Sequence, residues 1–129
     1  MAKRAAMSRA EMQVVHLVWE LGGATVREVL DALPSNRKVD YKTVQTYLRR
    51  LEAKGYVTST RDGRTRVYAA KVRQGQVIKE TVSDFVGRLF GGNPLPLMEH
   101  LIQEEGLSGR DIDRLREMLD QLEAEGDAE

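Results

Sequence analysis

Three helix-start signals followed by one hairpin signal occur in a fixed order within the first 70 residues. Ser8 and Thr25 each stand three positions before a glutamate, and this spacing is typical of a capping box, in which the two residues exchange side-chain and backbone hydrogen bonds. Asp40 is a third candidate N-cap. Asp62-Gly63 then separates two β-prone segments and favours the positive φ angles of a two-residue turn. This order predicts three helices followed by a β-hairpin.

Glycine and proline residues predict where these helices end. Gly22-Gly23, Pro34 and Gly55 each interrupt an apolar helical pattern. The remaining predicted segments are a polar, basic turn at residues 35–38, a third helix at 41–54, and strands at 56–61 and 64–70. The element order is that of a winged helix-turn-helix module, which we assign to residues 1–73.

The charge of the chain changes sign along the sequence, although its formal net charge is zero. Residues 1–73 hold fifteen basic and seven acidic side chains, a net charge of +8. Residues 74–129 hold five basic and thirteen acidic side chains, a net charge of −8. Such an asymmetry indicates a basic functional half and a separate acidic half.

The acidic half, residues 74–129, is predicted to be helical and dimeric. Gly91-Gly92-Asn93-Pro94 and Gly106 divide it into three short helices with apolar stripes. Each large apolar side chain gains ~1.5–3 kcal/mol on burial, and three short helices cannot bury them all, so we expect a second copy of the chain as partner. The residues predicted to form this interface are Ile78, Val82, Phe85, Leu89, Leu101, Ile112, Leu115, Leu119 and Leu122. The predicted fold class is therefore mainly α with a small β-hairpin wing, comprising an N-terminal winged helix-turn-helix and a C-terminal three-helix dimerisation domain.

The predicted third helix and the hairpin carry side chains that suit double-stranded DNA. A helix fits the major groove, where Arg, Lys, Gln and Thr can contact base edges. The helix positions with this chemistry are Lys42, Thr43, Gln45, Thr46 and Arg50. The residues expected to lie along flanking phosphates are Arg49, Lys54, Arg61, Arg64 and Arg66.

The basic region also admits a purely solvated face or a protein-docking face. A charge run often does no more than solvate an outer face, but such a face usually mixes both signs, and only Glu52 and Asp62 are acidic between residues 42 and 66. The basic face could instead dock an acidic protein partner. Among the tyrosines nearby, Tyr41 and Tyr47 are candidate DNA contacts, while those of the hairpin region, Tyr56 and Tyr68, are expected to pack against the helices.

The sequence does not indicate enzymatic activity or a cofactor. The absence of cysteine excludes disulfides, thiolate metal sites and cysteine nucleophiles. Neither His16 nor His100 has a second histidine or a cysteine at metal-binding spacing, and no glycine-rich phosphate loop occurs. No apolar run approaches the ~18 residues of a membrane span, and the first residues do not have a signal-peptide pattern. We therefore expect a cytoplasmic protein without membrane insertion.

Three stretches together resemble the BlaI/MecI/CopY penicillinase-repressor family of bacterial transcriptional regulators. They are residues 10–19, residues 41–48 with Arg50-Leu51 and Lys54-Gly55, and residues 105–108. The resemblance covers almost the whole chain, from Ser8 to Leu122. It implies an N-terminal winged helix that binds operator DNA and a C-terminal helical domain that dimerises by intertwining. By positional match, it places Lys42, Thr43, Gln45, Thr46 and Arg50 toward the DNA.

The chain departs from this family at two points. Copper-responsive members carry a C-terminal cysteine motif, whereas this chain has no cysteine. Antibiotic-responsive members are cleaved at an Asn-Phe bond, and His100-Leu101 occupies that position here. Cleavage there by a sensor protease is thus one alternative beside induction by a ligand or another partner. We therefore expect a homodimeric repressor, in which two basic modules placed about one DNA turn apart occupy a palindromic operator.

Overall fold

The computed structural model describes residues 4–34 and 39–127, and it consists mainly of helices with one small sheet. The helices are α1 Arg9–Leu21, α2 Val26–Ala32, α3 Tyr41–Lys54, α4 Gln74–Leu89, α5 Leu95–Glu104 and α6 Gly109–Asp127, and the strands are β1 Ala24–Thr25, β2 Val57–Asp62 and β3 Thr65–Ala70. This confirms the predicted fold class: three helices, a hairpin wing and three further helices. The turn predicted at residues 35–38 lies outside the described residues.

The predicted helix starts are confirmed by side-chain hydrogen bonds. The Glu11 amide donates to Ser8 Oγ at 3.1 Å, and the Ser8 amide donates to Glu11 Oε1 at 2.7 Å. Thr25 and Glu28 form the same pair of bonds at 3.1 and 3.0 Å. The Thr43 amide donates to Asp40 Oδ1 at 2.8 Å. Each of these side chains satisfies an amide that the first helical turn leaves without a partner.

The sheet is antiparallel with strand order β1-β3-β2. Gly63, with φ of +66°, lies in the turn of the β2–β3 hairpin. The turn consists of Gly63 and Arg64, one residue later than the predicted Asp62-Gly63, because Asp62 extends β2 and pairs with Thr65. The two-residue strand β1 was not predicted, because its pairing of Ala24 with Tyr68 is set by a distant part of the chain. The wing is thereby attached to the segment that begins α2.

The hydrophobic core of the N-terminal part joins α1, α2, α3 and the sheet. Val18, Val44 and Leu48 are fully buried, and Tyr68 on β3 is 1% exposed. Tyr56 is also buried, so both tyrosines of the hairpin region pack against the helices as predicted.

The first turns of α4 belong to this same compact unit. The chain divides into two units between Glu80 and Thr81, inside α4. Val77 is part of the N-terminal core, and Trp19 Nε1 donates to the Val72 carbonyl oxygen at 3.1 Å just before α4. The assignment of one part of the chain to DNA binding and of the other to dimerisation stays a prediction.

The predicted dimer residues lie on α4, α5 and α6 with their apolar side chains uncovered in the single chain. Most of them are between 41% and 65% exposed, and Leu115 is half-buried. The members in that exposure range are Ile78, Val82, Phe85, Leu89, Leu101, Ile112, Leu119 and Leu122. Exposed apolar faces of this extent are typical of interaction surfaces.

Candidate nucleic-acid interface

Helix α3 presents one apolar face to the core and its polar faces outward. Val44, Leu48 and Leu51 are 0% exposed and seat the helix. The residues predicted to meet DNA occupy the remaining positions: Lys42, Arg49 and Arg50 are exposed, and Thr43, Gln45 and Thr46 are half-buried. The helix is therefore held firmly while it displays long hydrogen-bond donors.

The start of α3 is ordered by polar contacts. Hydrogen bonds from the Thr43 side chain and amide hold the pKa of Asp40 below its ordinary value. Thr46 Oγ1 donates to the Lys42 carbonyl oxygen at 3.0 Å. The hydroxyl hydrogen of Thr46 is thus used within the helix, which leaves its methyl group and oxygen lone pairs for a ligand.

A groove of about 420 Å³ lies between α3, the start of α2 and the hairpin. Its lining consists of Thr25, Val26, Arg27, Tyr41, Gln45, Arg49, Arg61, Arg64, Thr65, Arg66 and Tyr68. Five of these are arginines, and no acidic side chain of the described residues lines the groove. Clustered guanidinium groups repel each other and concentrate a positive potential, which an anion relieves. The groove is therefore suited to a phosphate backbone.

Arg27 is a member of this groove that the sequence reasoning missed. Its guanidinium lies over the Tyr41 ring, 5.4 Å from the ring centroid, in cation–π geometry. A cation in the first turn of a helix interacts unfavourably with the helix dipole. The position of Arg27, two residues after the Thr25 cap, was therefore a sequence signal that this arginine serves another purpose. Tyr41 thus supports an arginine at the groove, and its own contact with DNA stays a prediction.

A hydrogen-bonded chain connects α3 to both strands of the wing. Ser59 Oγ on β2 donates to Glu52 Oε2 at 2.6 Å, and Arg66 Nη1 on β3 donates to Ser59 Oγ at 2.9 Å. Tyr68 lies beside this chain, since Ser59 pairs with Tyr68 in the sheet. Burial raises the pKa of Tyr68, and the Glu52 carboxylate raises it further, so the phenol stays protonated at neutral pH.

Lys54 lies apart from the groove, at the C-terminal end of α3. Its Nζ donates to Glu11 Oε1 at 2.7 Å and to the Ala6 carbonyl oxygen at 2.8 Å. Burial alone would raise the pKa of Glu11, but hydrogen bonds from Lys54 and Ser8 outweigh it and lower the pKa. The ammonium group predicted to meet a phosphate is thus engaged within the molecule.

Comparison with known proteins identifies the family of the chain. The family model described as Penicillinase repressor matches residues 7–121. The chain belongs to the penicillinase repressor family.

Relatives match this member of the penicillinase repressor family over most of their length. It is 27% identical to the penicillinase repressor of Bacillus licheniformis over 121 residues, which is 94% of each chain. It is 25% identical to the methicillin resistance regulatory protein MecI of Mammaliicoccus sciuri over 113 residues, 88% of this chain and 92% of the relative. The solution structure of the DNA binding domain of the repressor BlaI matches with 31% identity and a TM-score of 0.50, over 57% of this chain and 90% of that chain. Membership in this family does not favour the alternative hypothesis that the basic face docks an acidic protein partner.

The other predicted sites of this penicillinase repressor family member lie on exposed helical surfaces. His100 and Leu101 are adjacent and exposed within α5. His16, for which no metal role was predicted, has its Nε2 2.9 Å from Glu20 Oε1 on the solvent-exposed face of α1. Over residues 4–34 and 39–127, no three His, Asp or Glu side chains are grouped as metal ligands, and no helix there is long and apolar enough to cross a membrane.

Proposed function

We propose that this chain represses transcription in bacteria as a homodimer bound to a palindromic operator. As a member of the penicillinase repressor family, it is a DNA-binding transcriptional repressor. The observation that carries the proposed interface is the groove beside α3, which is lined by five arginines, one of them on the helix itself. A repressor that occupies a promoter blocks access of the polymerase.

The proposed contacts divide into base-reading and phosphate-binding residues. Those on α3 that read base edges are Lys42, Thr43, Gln45, Thr46 and Arg50. Those that bind phosphates are Arg27, Arg49, Arg61, Arg64 and Arg66. Lys54 is omitted from the second group because its Nζ is paired with Glu11, and Arg27 is added because it lines the groove. Phosphate contacts set affinity and register, whereas base contacts set sequence preference.

The proposed dimer interface consists of the apolar faces of α4, α5 and α6. A dimer of winged-helix modules places two recognition helices about one DNA turn apart, roughly 34–36 Å, and so favours a palindromic site. The net charge of −8 on residues 74–129 repels DNA, which directs the duplex to the basic modules.

We also propose a cytoplasmic location, because a repressor needs access to chromosomal DNA. We propose no catalytic role, because repression of this kind requires only binding.

A sensor protease is a proposed partner, with His100-Leu101 as the cleavage bond. Support for this bond is its exposure in α5, although the helix would have to unwind locally to enter a protease as an extended chain. Terminal sequencing of fragments from induced cells tests it, and an intact chain after derepression would exclude it.

Base reading is tested with a duplex selected by the wild-type chain from a random-sequence pool. We expect Gln45→Ala to relax base preference at the position it contacts, with a loss of about 1–3 kcal/mol in discrimination. Gln74→Ala, the same change at an exposed position at the start of α4, is the matched control. Binding should weaken with salt with a log–log slope near −0.9 per phosphate neutralised. A wild-type chain that binds no duplex at low salt would contradict the proposed function.

A further inference from the structure

Glu52 is an acidic residue placed where the chain is proposed to meet a polyanion. It shares residues 42–66 with only one other acid, Asp62. It is half-buried and lies on the face of α3 that also carries Arg49, three residues earlier, and Gln45, four residues before Arg49. Both of those neighbours line the arginine groove. A carboxylate here repels DNA, so we expect Glu52 to make another interaction that favours DNA binding.

The hydrogen bonds around Glu52 provide such an interaction. Its Oε2 accepts a short hydrogen bond of 2.6 Å from Ser59 Oγ. The same hydroxyl oxygen accepts from Arg66 Nη1 at 2.9 Å. The carboxylate therefore determines which way the Ser59 hydroxyl points, and the hydroxyl lone pair then faces the guanidinium. One residue each from α3, β2 and β3 takes part in this chain.

Arg66 is exposed and lines the groove, yet it is held at one nitrogen. A guanidinium has five N–H donors, so one bond to Ser59 leaves the others for a phosphate. A long side chain that is ordered before binding loses less conformational entropy when the ligand arrives.

We propose that Glu52 and Ser59 are positioning residues that preorder Arg66 for a phosphate of the bound duplex. This proposal rests on the proposed function, because it assumes that DNA occupies the groove. Neither residue needs to touch the DNA. Glu52 acts through Ser59, and Ser59 acts through Arg66.

A pair of substitutions at Glu52 separates the hydrogen bond from the charge. Glu52→Gln and Glu52→Ala both remove one negative charge, but only glutamine keeps an acceptor for Ser59. Repulsion alone predicts equal affinity for the two variants. Preordering predicts that Glu52→Ala binds the selected duplex about two- to tenfold more weakly than Glu52→Gln, the range expected for ordering one long side chain.

Substitutions at Ser59 test the middle of the chain without changing charge. We expect Ser59→Ala to weaken binding of the duplex about two- to tenfold. Ser59→Thr, which keeps the hydroxyl, should bind with the affinity of the wild type. In an Arg66→Ala background, Ser59→Ala should have no further effect. Thr58→Ala, which removes an exposed hydroxyl one residue earlier on β2, is the matched control and should bind as wild type.

These measurements use the full-length chain, the duplex selected by the wild type, and urea unfolding midpoints as a check on the fold. Equal binding by wild type and Ser59→Ala, or equal loss from Ser59→Ala with and without Arg66, would overturn the proposal while leaving the DNA-binding function intact. Failure of the wild type to select or bind any duplex would instead count against the proposed function.

Discussion

At the scale of single residues, Glu11 combines a local and a distant role. As the third residue of α1 it closes the capping box with Ser8, and it also accepts the ammonium group of Lys54. Its side chain is only 2% exposed, whereas that of Lys54 is 26% exposed. Glu11 Oε2 makes no hydrogen bond within the described residues. A buried carboxylate with one satisfied oxygen depends strongly on its cation.

Lys54→Met is expected to destabilise the N-terminal unit by about 2–3 kcal/mol, below the usual loss for a fully buried pair because Lys54 is partly hydrated. Urea unfolding at fixed protein concentration measures the loss. Lys79→Met, the same change at an exposed position of α4, is the matched control. The salt slope of DNA binding should stay unchanged. A slope reduced by ~0.9 would show that Lys54 neutralises a phosphate after all.

The lowered pKa of Glu11 predicts an acid-sensitive contribution to stability. The unfolded chain takes up this proton near the ordinary value of 4.5, and the folded chain takes it up at a lower pH. The stabilisation is therefore complete above pH 4.5 and lost as the pH falls through the folded pKa. Unfolding midpoints of wild type and Glu11→Gln should differ by a constant amount down to pH 4.5 and converge as the pH is lowered further. A gap that stays constant below that pH as well would contradict this assignment.

At the scale of elements, local signals determine where helices and strands begin and end. The caps at Ser8, Thr25 and Asp40 involve residues three positions apart, so sequence pattern is enough to find them. The hairpin turn is equally local, although it lies at Gly63-Arg64 rather than at the predicted Asp62-Gly63. Strand β1 could not be found this way, because two residues carry no periodicity and its hydrogen bonds depend on where β3 lies.

Gly63→Ala is expected to destabilise the hairpin by about 1–2 kcal/mol, the cost of a left-handed conformation for a residue with a side chain. The strain is conformational rather than steric, because a Cβ at Gly63 meets nothing within 4 Å. Gly75→Ala is the control: Gly75 is helical, has equal space and lacks a positive φ, so the change should be neutral or stabilising by up to ~1 kcal/mol. Thermal unfolding of both variants measures the difference. Equal midpoints would argue against a left-handed turn residue.

At the scale of the whole molecule, opposite charges and exposed apolar faces support the proposal that one half of the chain binds DNA and the other half dimerises. The zero net charge is the sum of +8 on residues 1–73 and −8 on residues 74–129. The basic half contains the groove beside α3, and the acidic half carries apolar side chains left uncovered in the single chain. A second copy would bury those side chains and bring two basic modules to one duplex.

Leu119→Asp is expected to dissociate the proposed dimer, because it places a charge on the apolar stripe of α6 that a partner would bury. Sedimentation at micromolar concentration should show a monomer, with operator affinity lowered as the two modules no longer bind together. Gln121→Asp adds the same charge at an exposed position on the opposite side of α6 and should stay dimeric. A wild-type chain that is monomeric, or a variant that stays dimeric, would refute the interface.

The sequence by itself determined the helices and strands that have local start and stop signals, the basic and acidic halves, and four of the five arginines that line the groove. The sequence assigned Gln45 to base reading, and it assigned Arg49 and Lys54 alike to phosphate contacts. Only the tertiary structure decided that Lys54 reaches a carboxylate 43 residues earlier in the chain. It also brought Arg27 to the groove and aligned Glu52 with Ser59 and Arg66. The physical reason is that caps and turns depend on neighbours within one helical turn, whereas the partners of a long charged side chain depend on how packed elements are oriented.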